Sequence, residues 1–490
     1  MSKVFRRVSV CCFSASDSSA HAGMQADLRT LSDLAVHGCS VVTAITAQNS
    51  QRLLQCSASD QASLIAQWQS VAQDLKPVAC KVGLLANSDQ VKTLATIAGQ
   101  YSAVWIADPV LQSSTGHNFH SPDFIAAYKQ LLPQLDLITP NIPEAAALTG
   151  QPINSAEDVI CAAKQLQRQG VGAVLIKGGH AIGGGTRSQD YFYSPDKQFW
   201  LSSPRQAAAN NRGTGCVMAS AIAAFISLGK SMADAVVLAY AYVQQGLRAG
   251  YAVGQGAGPV LNGGWPKALS DYPEVSEQAD YVSPSPFASC DTDSLGLYPV
   301  IDSIDWLKKL LAAGVSTIQL RIKNLQGQAL SETLNLAIQL GREYKARLFI
   351  NDHWQLALQL KAYGVHLGQE DIGSADINAL RAAGIRLGVS THSEYEWARA
   401  HALRPSYIAL GAVFATQTKP AQVIGLDNLQ CWAPLLQQRY PVTAIGGINA
   451  SNIAAVLASG VRSVAVVTAI TQAACYRQAT QQLLQQMAQA

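Results

Sequence analysis

The sequence is short of charge. Only 14% of its 490 residues are Asp, Glu, Lys or Arg, against a usual share of about 25%. Because 49% are hydrophobic, a disordered chain is excluded. Neither sign of charge dominates. The 35 basic and 32 acidic residues leave a net charge of +3, which gives no electrostatic reason to expect nucleic acid or an anionic membrane as partner. The cysteines lack the regular spacing of a disulfide framework, and no pair makes a CxxC zinc signature. Long hydrophobic runs are missing too: the longest, residues 216–228, falls short of the ~18–20 residues that span a bilayer. The opening MSKVFRRVSVCCFSASDSS has too short an apolar core for a signal peptide and reads as a first buried strand. Neither GxxxxGK[ST] nor GxGxxG occurs. The expectation is a reduced, soluble, cytoplasmic protein acting on small molecules, with a homo-oligomer compatible with this composition.

What is present is alternation. Short apolar runs such as SVVTAIT (40–46), AVWIADPV (103–110), DLITP (136–140) and AVLIKGG (173–179) read as strands. Between them lie helical stretches, including 121–132 and 156–170, the latter capped by Ser155 and stopped by Gly170. Fully apolar strands alternating with helices predict a parallel sheet covered on both faces. Residues 266–293, rich in Pro, Ser and Asp, read as an exposed linker. After it, strand signals recur at 297–301, 317–322, 347–352, 364–369, 386–391, 407–414, 442–448 and 463–470. This spacing predicts a compact (β/α)8 barrel, whose active site lies at the C-terminal ends of its strands. The predicted organisation is α/β throughout: a domain over 1–265, the linker, and a TIM barrel over 294–490.

In the barrel half, polar residues collect at those strand ends. Gln319, Arg321 and Lys323 alternate with Leu320 and Ile322, so the three share one side. Arginine offers bidentate recognition of phosphate and lysine a point charge. Asn351-Asp352 end the third strand, and Asp371 follows the fourth. Two carboxylates facing a basic cluster suit Mg2+ bridging a diphosphate. Ser390 ends the fifth strand, Thr416, Thr418 and Lys419 follow the sixth, Gly447 the seventh, and Val467-Thr468 the eighth. Glycine turns after strands seven and eight often cradle phosphate in barrels. These motifs, QLRIK, ND, GVHLGQED, GVSTH, FATQTK and GGI, closely resemble the thiamine phosphate synthase family. That family condenses 4-amino-2-methyl-5-hydroxymethylpyrimidine diphosphate with thiazole phosphate. The resemblance implies that Asp352 and Asp371 bind Mg2+. It implies that Gln319, Arg321, Lys323, Asn351, Ser390 and Lys419 surround the pyrimidine diphosphate, and that Thr416, Thr418, Gly447, Val467 and Thr468 contact the thiazole phosphate. Two mild departures occur: Ala412 where proline is common and Thr468 where serine is common.

In the first half, Gly213-Thr214-Gly215-Cys216 opens an apolar helix. Amides at such a helix start can hold an anion, and the dipole there favours a thiolate. Asn141 and Glu144 follow one strand and Lys177 another, as expected of residues lining the crevice of a parallel sheet. With AGMQADL, TAITAQN, KVGLL, ITPNIPEAAALTG, IKGGH and GAGPV, these residues resemble hydroxymethylpyrimidine (phosphate) kinases, of the ribokinase-like superfamily with its three-layer α/β/α fold. The resemblance implies that Gln48 binds the pyrimidine with Asp27 nearby. It places Lys177, Asn141 and Glu144 beside ATP, the co-substrate, and Mg2+, and gives phosphoryl transfer to Cys216 with the Gly213–Gly215 amides. One departure matters. The family's glycine-rich loop here reads SASDSSAHAG, with Ala15, Ala20 and His21 replacing glycines, and Arg212 replaces a common His. Glycine permits φ > 0 and close backbone approach, so these changes raise the hypothesis of altered or reduced kinase activity. The reading preferred is a bifunctional enzyme that makes the pyrimidine diphosphate and consumes it; the alternative is a synthase fused to a kinase-like pyrimidine-binding regulatory module. A kinase of another small alcohol, such as pyridoxal, is a further rival.

Overall fold

The computed structural model describes residues 7–112, 121–178, 186–416 and 422–489. It divides into two compact units, Met1–Val282 and Ser283–Ala490.

The first unit is built on a ten-stranded sheet, in the order β10-β9-β8-β7-β6-β5-β4-β1-β2-β3. Its strands are β1 (Ser9–Asp17), β2 (His37–Gln48), β3 (Leu53–Ala58), β4 (Ala79–Val82), β5 (Val104–Ala107), β6 (Leu137–Ile138), β7 (Ala173–Lys177), β8 (Arg187–Tyr193), β9 (Gln198–Pro204) and β10 (Glu274–Ser276). The middle is parallel, as the apolar runs predict. Both edges are antiparallel, which those runs did not reveal. At the β8–β9 edge the reason is the connection, a tight turn closed by Lys197 N donating to Ser194 Oγ, which leaves no room for a crossover helix.

Strand β1 serves two faces. Cys11 and Phe13 enter an apolar core, where the Phe13 ring lies 5.3 Å from Trp68 and 5.6 Å from Trp105. Ser14, one residue on, faces the other way and meets Asp27. The helix read at 156–170 runs Ala156–Arg168. Ser155 and Asp158 cap each other reciprocally, and Gly170 leaves the helix at φ 108°.

Residues 266–293 are not a free linker. Strand β10 pairs with β9, and the Arg187 guanidinium meets Glu274 at 2.5 Å. Beyond Val282 the chain belongs to the second unit: Ser283 Oγ donates to the Ala402 carbonyl at 3.1 Å, and Phe287 N to that of Arg404 at 3.0 Å. Val275, Phe287 and Cys290, scattered among the prolines and serines, are buried. Apolar anchors spaced without periodicity escape a pattern search.

The second unit is a closed parallel barrel, β11 to β18 in sequence order. Its strands are β11 (Leu297–Ile301), β12 (Thr317–Leu320), β13 (Arg347–Asn351), β14 (Gly364–Leu367), β15 (Arg386–Thr391), β16 (Tyr407–Leu410), β17 (Val442–Ile445) and β18 (Ser463–Val466). Inside, Tyr298, Phe349 and Tyr407 pack with ring separations of 5.0–5.9 Å. Gly388 makes this possible, because a Cβ there would lie 2.2 Å from the Tyr407 ring.

Candidate functional site

Each unit gathers polar groups at the C-terminal ends of its parallel strands. In the first, β1 ends in a loop organised by Asp17, whose carboxylate accepts from Ser19 N, Ser19 Oγ and Ala22 N at 2.8–2.9 Å. Glycine is required behind it. A Cβ on Gly23 would lie 2.5 Å from the Ala15 carbonyl, and one on Gly213 would lie 2.4 Å from that of His21. The GTGC turn thus packs directly on this loop. Arg212 donates to the Asn49 carbonyl at 3.4 Å, and Gln48 ends β2 with its backbone tied to Ser18 Oγ at 2.7–2.8 Å.

The Asp27 carboxylate is already engaged by protein partners. The residue is fully buried, and its carboxylate takes Lys81 Nζ at 2.8 Å, Ser14 Oγ at 2.6 Å and Ser220 Oγ at 2.8 Å. Burial alone would push the Lys81 ammonium down, but Asp27 overrides it and holds the ammonium well above its ordinary value. Sequence reading missed Lys81, Ser14 and Ser220. The signal was there: a lysine inside the otherwise apolar strand β4.

Lys177, at the end of β7, meets Asp108 Oδ1 at 2.5 Å. The start of helix Thr214–Ser227 presses on this pair, since a Cβ on Gly215 would lie 2.9 Å from Asp108 Oδ2 and 3.2 Å from Lys177 Nζ. Asn141 bridges to Lys177 through the backbone and caps helix Ile142–Thr149 reciprocally with Glu144, at 2.8 and 2.9 Å. Burial raises the Glu144 carboxyl to about 7, opposed by Lys177 and assisted by Asp108. Asp190 accepts from Gly178 N at 2.9 Å and is raised to about 6 by burial. The expectation of a stabilised thiolate at Cys216 needs correction. Burial pushes that thiol up to about 11, and Lys81 and the Gly23 amide counter it only in part. His180 lies outside the described residues.

In the barrel, Arg321 and Lys323 follow β12, Asn351 and Asp352 close β13, and Asp371 lies in the short helix Gln369–Ile372 after β14. Burial raises the Asp352 carboxyl, the like charge of Asp371 raises it further, and Arg321, Lys323 and His353 oppose both. These five groups therefore share one end of the barrel. Among the described residues, neither carboxylate takes part in an ion pair, nor do three His, Cys, Asp or Glu side chains come close enough to hold a metal on their own. Two mutually repelling carboxylates beside two cations fit a Mg2+ that also takes oxygens from a bound diphosphate.

Gln319 and Asn351 are buried at the strand ends and Ser390 is half-buried at the end of β15. The Gln369 side-chain amide donates to the Ser390 carbonyl at 2.8 Å, joining the fourth and fifth strand ends. A Cβ on Gly447 would lie 2.7 Å from the Ala415 carbonyl, so the loops that carry Gly447 and Thr416 touch. Val467 and Thr468 start the four-residue helix after β18. Thr418 and Lys419 lie outside the described residues. Sequence reading overlooked a buried chain of hydrogen bonds below this rim, from Gln319 through Tyr298, Tyr407 and His366 to Ser390. Burial takes His366 down to about 4, so its ring is neutral.

The first unit thus has the sheet and strand-end crevice of a ribokinase-like kinase, and the second is a phosphate-handling (β/α)8 enzyme barrel. The phosphomethylpyrimidine kinase family matches residues 17–261, and the thiamine monophosphate synthase family matches residues 297–470. The chain belongs to both families and carries both domains of a bifunctional thiamine-biosynthesis enzyme. It is 57% identical over 193 residues to thiamine-phosphate synthases of Escherichia coli O157:H7 (strain EC4115 / EHEC) and Serratia proteamaculans (strain 568), covering 39% of this chain and 91% of each relative. Pyridoxal kinase from Staphylococcus aureus, solved with AMP-PCP and pyridoxal, superposes with a TM-score of 0.50 at 29% identity, over 56% of this chain and 98% of that one. The same kinase solved with ADP gives a TM-score of 0.51. No helix among the described residues is long and apolar enough to cross a membrane.

Proposed function

We propose that the first domain phosphorylates hydroxymethylpyrimidine phosphate with ATP, and that the second condenses the resulting diphosphate with thiazole phosphate to give thiamine phosphate and pyrophosphate. The carrying observation is the convergence of Arg321, Lys323, Asp352 and Asp371 on one end of the barrel.

In the first domain, Lys177 and the amides of the Gly213–Gly215 turn bind the transferred phosphoryl group, beside Asn141 and Glu144. Gln48 flanks the pyrimidine. Cys216 stands next to the Gly213–Gly215 amides, where it positions the attacking phosphate oxygen of the pyrimidine monophosphate and, as a thiolate, would take any proton that oxygen carries. In the second domain, Asp352 and Asp371 would hold Mg2+, which when bound neutralises charge on the leaving diphosphate. Arg321, Lys323 and Lys419 stabilise that same charge as the carbon–oxygen bond breaks. The electron-rich aminopyrimidine supports the cationic methylene left behind, and the thiazole nitrogen attacks it, so no protein nucleophile is required. Thr416, Thr418, Gly447, Val467 and Thr468 orient the thiazole phosphate.

The test is a coupled assay of the full chain with pyrimidine monophosphate, ATP, Mg2+ and thiazole phosphate, following thiamine phosphate. Asp371→Ala is expected to abolish the product while ATP consumption continues. Cys216→Ala is expected to lower ATP consumption yet leave synthesis from supplied diphosphate intact. Thiamine phosphate formation undiminished in both variants would refute the reading. The likeness to pyridoxal kinases favours one competing alcohol for the first domain, and a substrate panel that includes pyridoxal decides between them.

A further inference from the structure

The buried chain under the barrel mouth has a direction, and the direction dictates chemistry. Its four links are Gln319 Nε2 to Tyr298 OH at 3.4 Å, Tyr298 OH to Tyr407 OH at 2.7 Å, Tyr407 OH to His366 Nδ1 at 2.6 Å, and His366 Nε2 to Ser390 Oγ at 2.7 Å. The first four residues are 0–7% exposed, so water does not compete for these links. Ser390 alone is half-buried and reaches the mouth.

An amide nitrogen can only donate, and a hydroxyl has one proton. Tyr298 accepts from Gln319, and among the described residues the acceptor within reach of its own hydrogen is Tyr407, so it donates there. Tyr407 must donate to His366 Nδ1. That nitrogen carries no proton, so in the neutral ring Nε2 carries it and donates to Ser390 Oγ. The Ser390 hydroxyl already accepts from within the protein, and its own hydrogen is left to point elsewhere. Run in reverse, the chain would spend that hydrogen on His366 and present Ser390 only as an acceptor.

We propose that Tyr298, Tyr407 and His366 are positioning residues that commit the Ser390 hydroxyl to donate a hydrogen bond to an acceptor nitrogen of the aminopyrimidine ring, selecting that ring by hydrogen-bond polarity. This rests on the synthase reading above and deepens it. A ligand offering a donor N–H at that place would face a second donor and be rejected, because a polar group buried without its partner costs more than a hydrogen bond gains.

The tautomer can be read without substrate, so failure here is separable from failure of the synthase reading. Full-length chain labelled with 15N-histidine is examined by two-bond 15N–1H NMR, with His366→Gln assigning the signal. The expected result is protonated Nε2 and bare Nδ1; protonated Nδ1 overturns the proposal. Gln319→Glu replaces the donor with a carboxylate that accepts from Tyr298, reverses every link, and is expected to move the proton to Nδ1. An unmoved tautomer in that variant also overturns it. Tyr407→Phe removes one hydroxyl and keeps the ring packing. It is expected to raise KM for the pyrimidine diphosphate roughly ten-fold, the worth of one hydrogen bond, with kcat changed far less. An unchanged KM would leave the chain a mere structural support and refute the assignment.

Discussion

The two units handle charge in opposite ways. In the first, the cations are already closed on carboxylates: Lys81 on Asp27 at 2.8 Å and Lys177 on Asp108 at 2.5 Å. In the second, Arg321, Lys323, Asp352 and Asp371 crowd one end of the barrel, and among the described residues none of them takes part in an ion pair. A closed pair in a dry interior fixes geometry before any ligand arrives, and its desolvation cost is met by the partner. An open cluster stays partly solvated and leaves its charge for the ligand. The kinase site is therefore prearranged by the fold, whereas the synthase site is completed by its substrate.

The largest effect should come from breaking a closed pair. Asp27→Ala strands Lys81 in a fully buried place and is expected to destabilise the first unit by about 3–5 kcal/mol, measured by urea unfolding. Asp352→Asn, in the open cluster, removes a carboxylate already disfavoured by burial and by Asp371. It should leave stability within about 1 kcal/mol while synthase turnover collapses. Equal losses of stability in the two variants would erase the contrast between the units.

A medium effect should appear as pH dependence, again in the first unit. The folded pKa of Glu144 is raised to about 7 from 4.5, so the native state holds its proton longer than the unfolded chain does. Stability is fully present below about pH 4.5 and declines as pH rises towards 7, by about 3 kcal/mol in all. Asp190, raised to about 6, adds a decline of the same sign. Glu144→Gln keeps an acceptor for the Asn141 amide and should flatten the decline between pH 5 and 7. An unaltered slope in thermal unfolding would show that Glu144 is not the group responsible.

The barrel was legible because each strand signal was a run of period-two or fully apolar residues, and polar residues broke each run where the strand ended. The rim residues followed from that spacing, since Arg321, Asp352, Asp371 and Ser390 fall at or just past strand ends. The antiparallel edge strands were not legible, because RSQDYFY and QFWLSSP carry the same alternation whichever way they pair. Neither was the pairing of Asp27, because helix periodicity shows that a residue faces inward but not that Lys81, 54 positions on, awaits it. The chain through Tyr298, Tyr407 and His366 was hidden for a similar reason. Three inward polar residues on three strands become a network only once barrel closure sets their heights.

The smallest effect concerns backbone rather than charge, and it compares two positions with the same unusual conformation. Ala20 has φ 56° and Asp352 has φ 62°. Aspartate tolerates the left-handed region because its short polar side chain bonds locally; alanine gains nothing there and carries a Cβ penalty of about 1 kcal/mol. Ala20 stays because the loop over-determines it: its amide donates to the Asp17 carbonyl at 2.9 Å and its carbonyl accepts from Arg29 at 2.5 Å. Ala20→Gly relieves the penalty at some cost in unfolded-chain entropy and should stabilise the first unit by about 0.5–1 kcal/mol, seen as a rise in Tm. Because Asp17 already holds the loop in place, kinase turnover should stay nearly constant. A large gain in turnover would instead mean that the Ala20 methyl crowds the substrate, and that this loop tunes the rate of the first step.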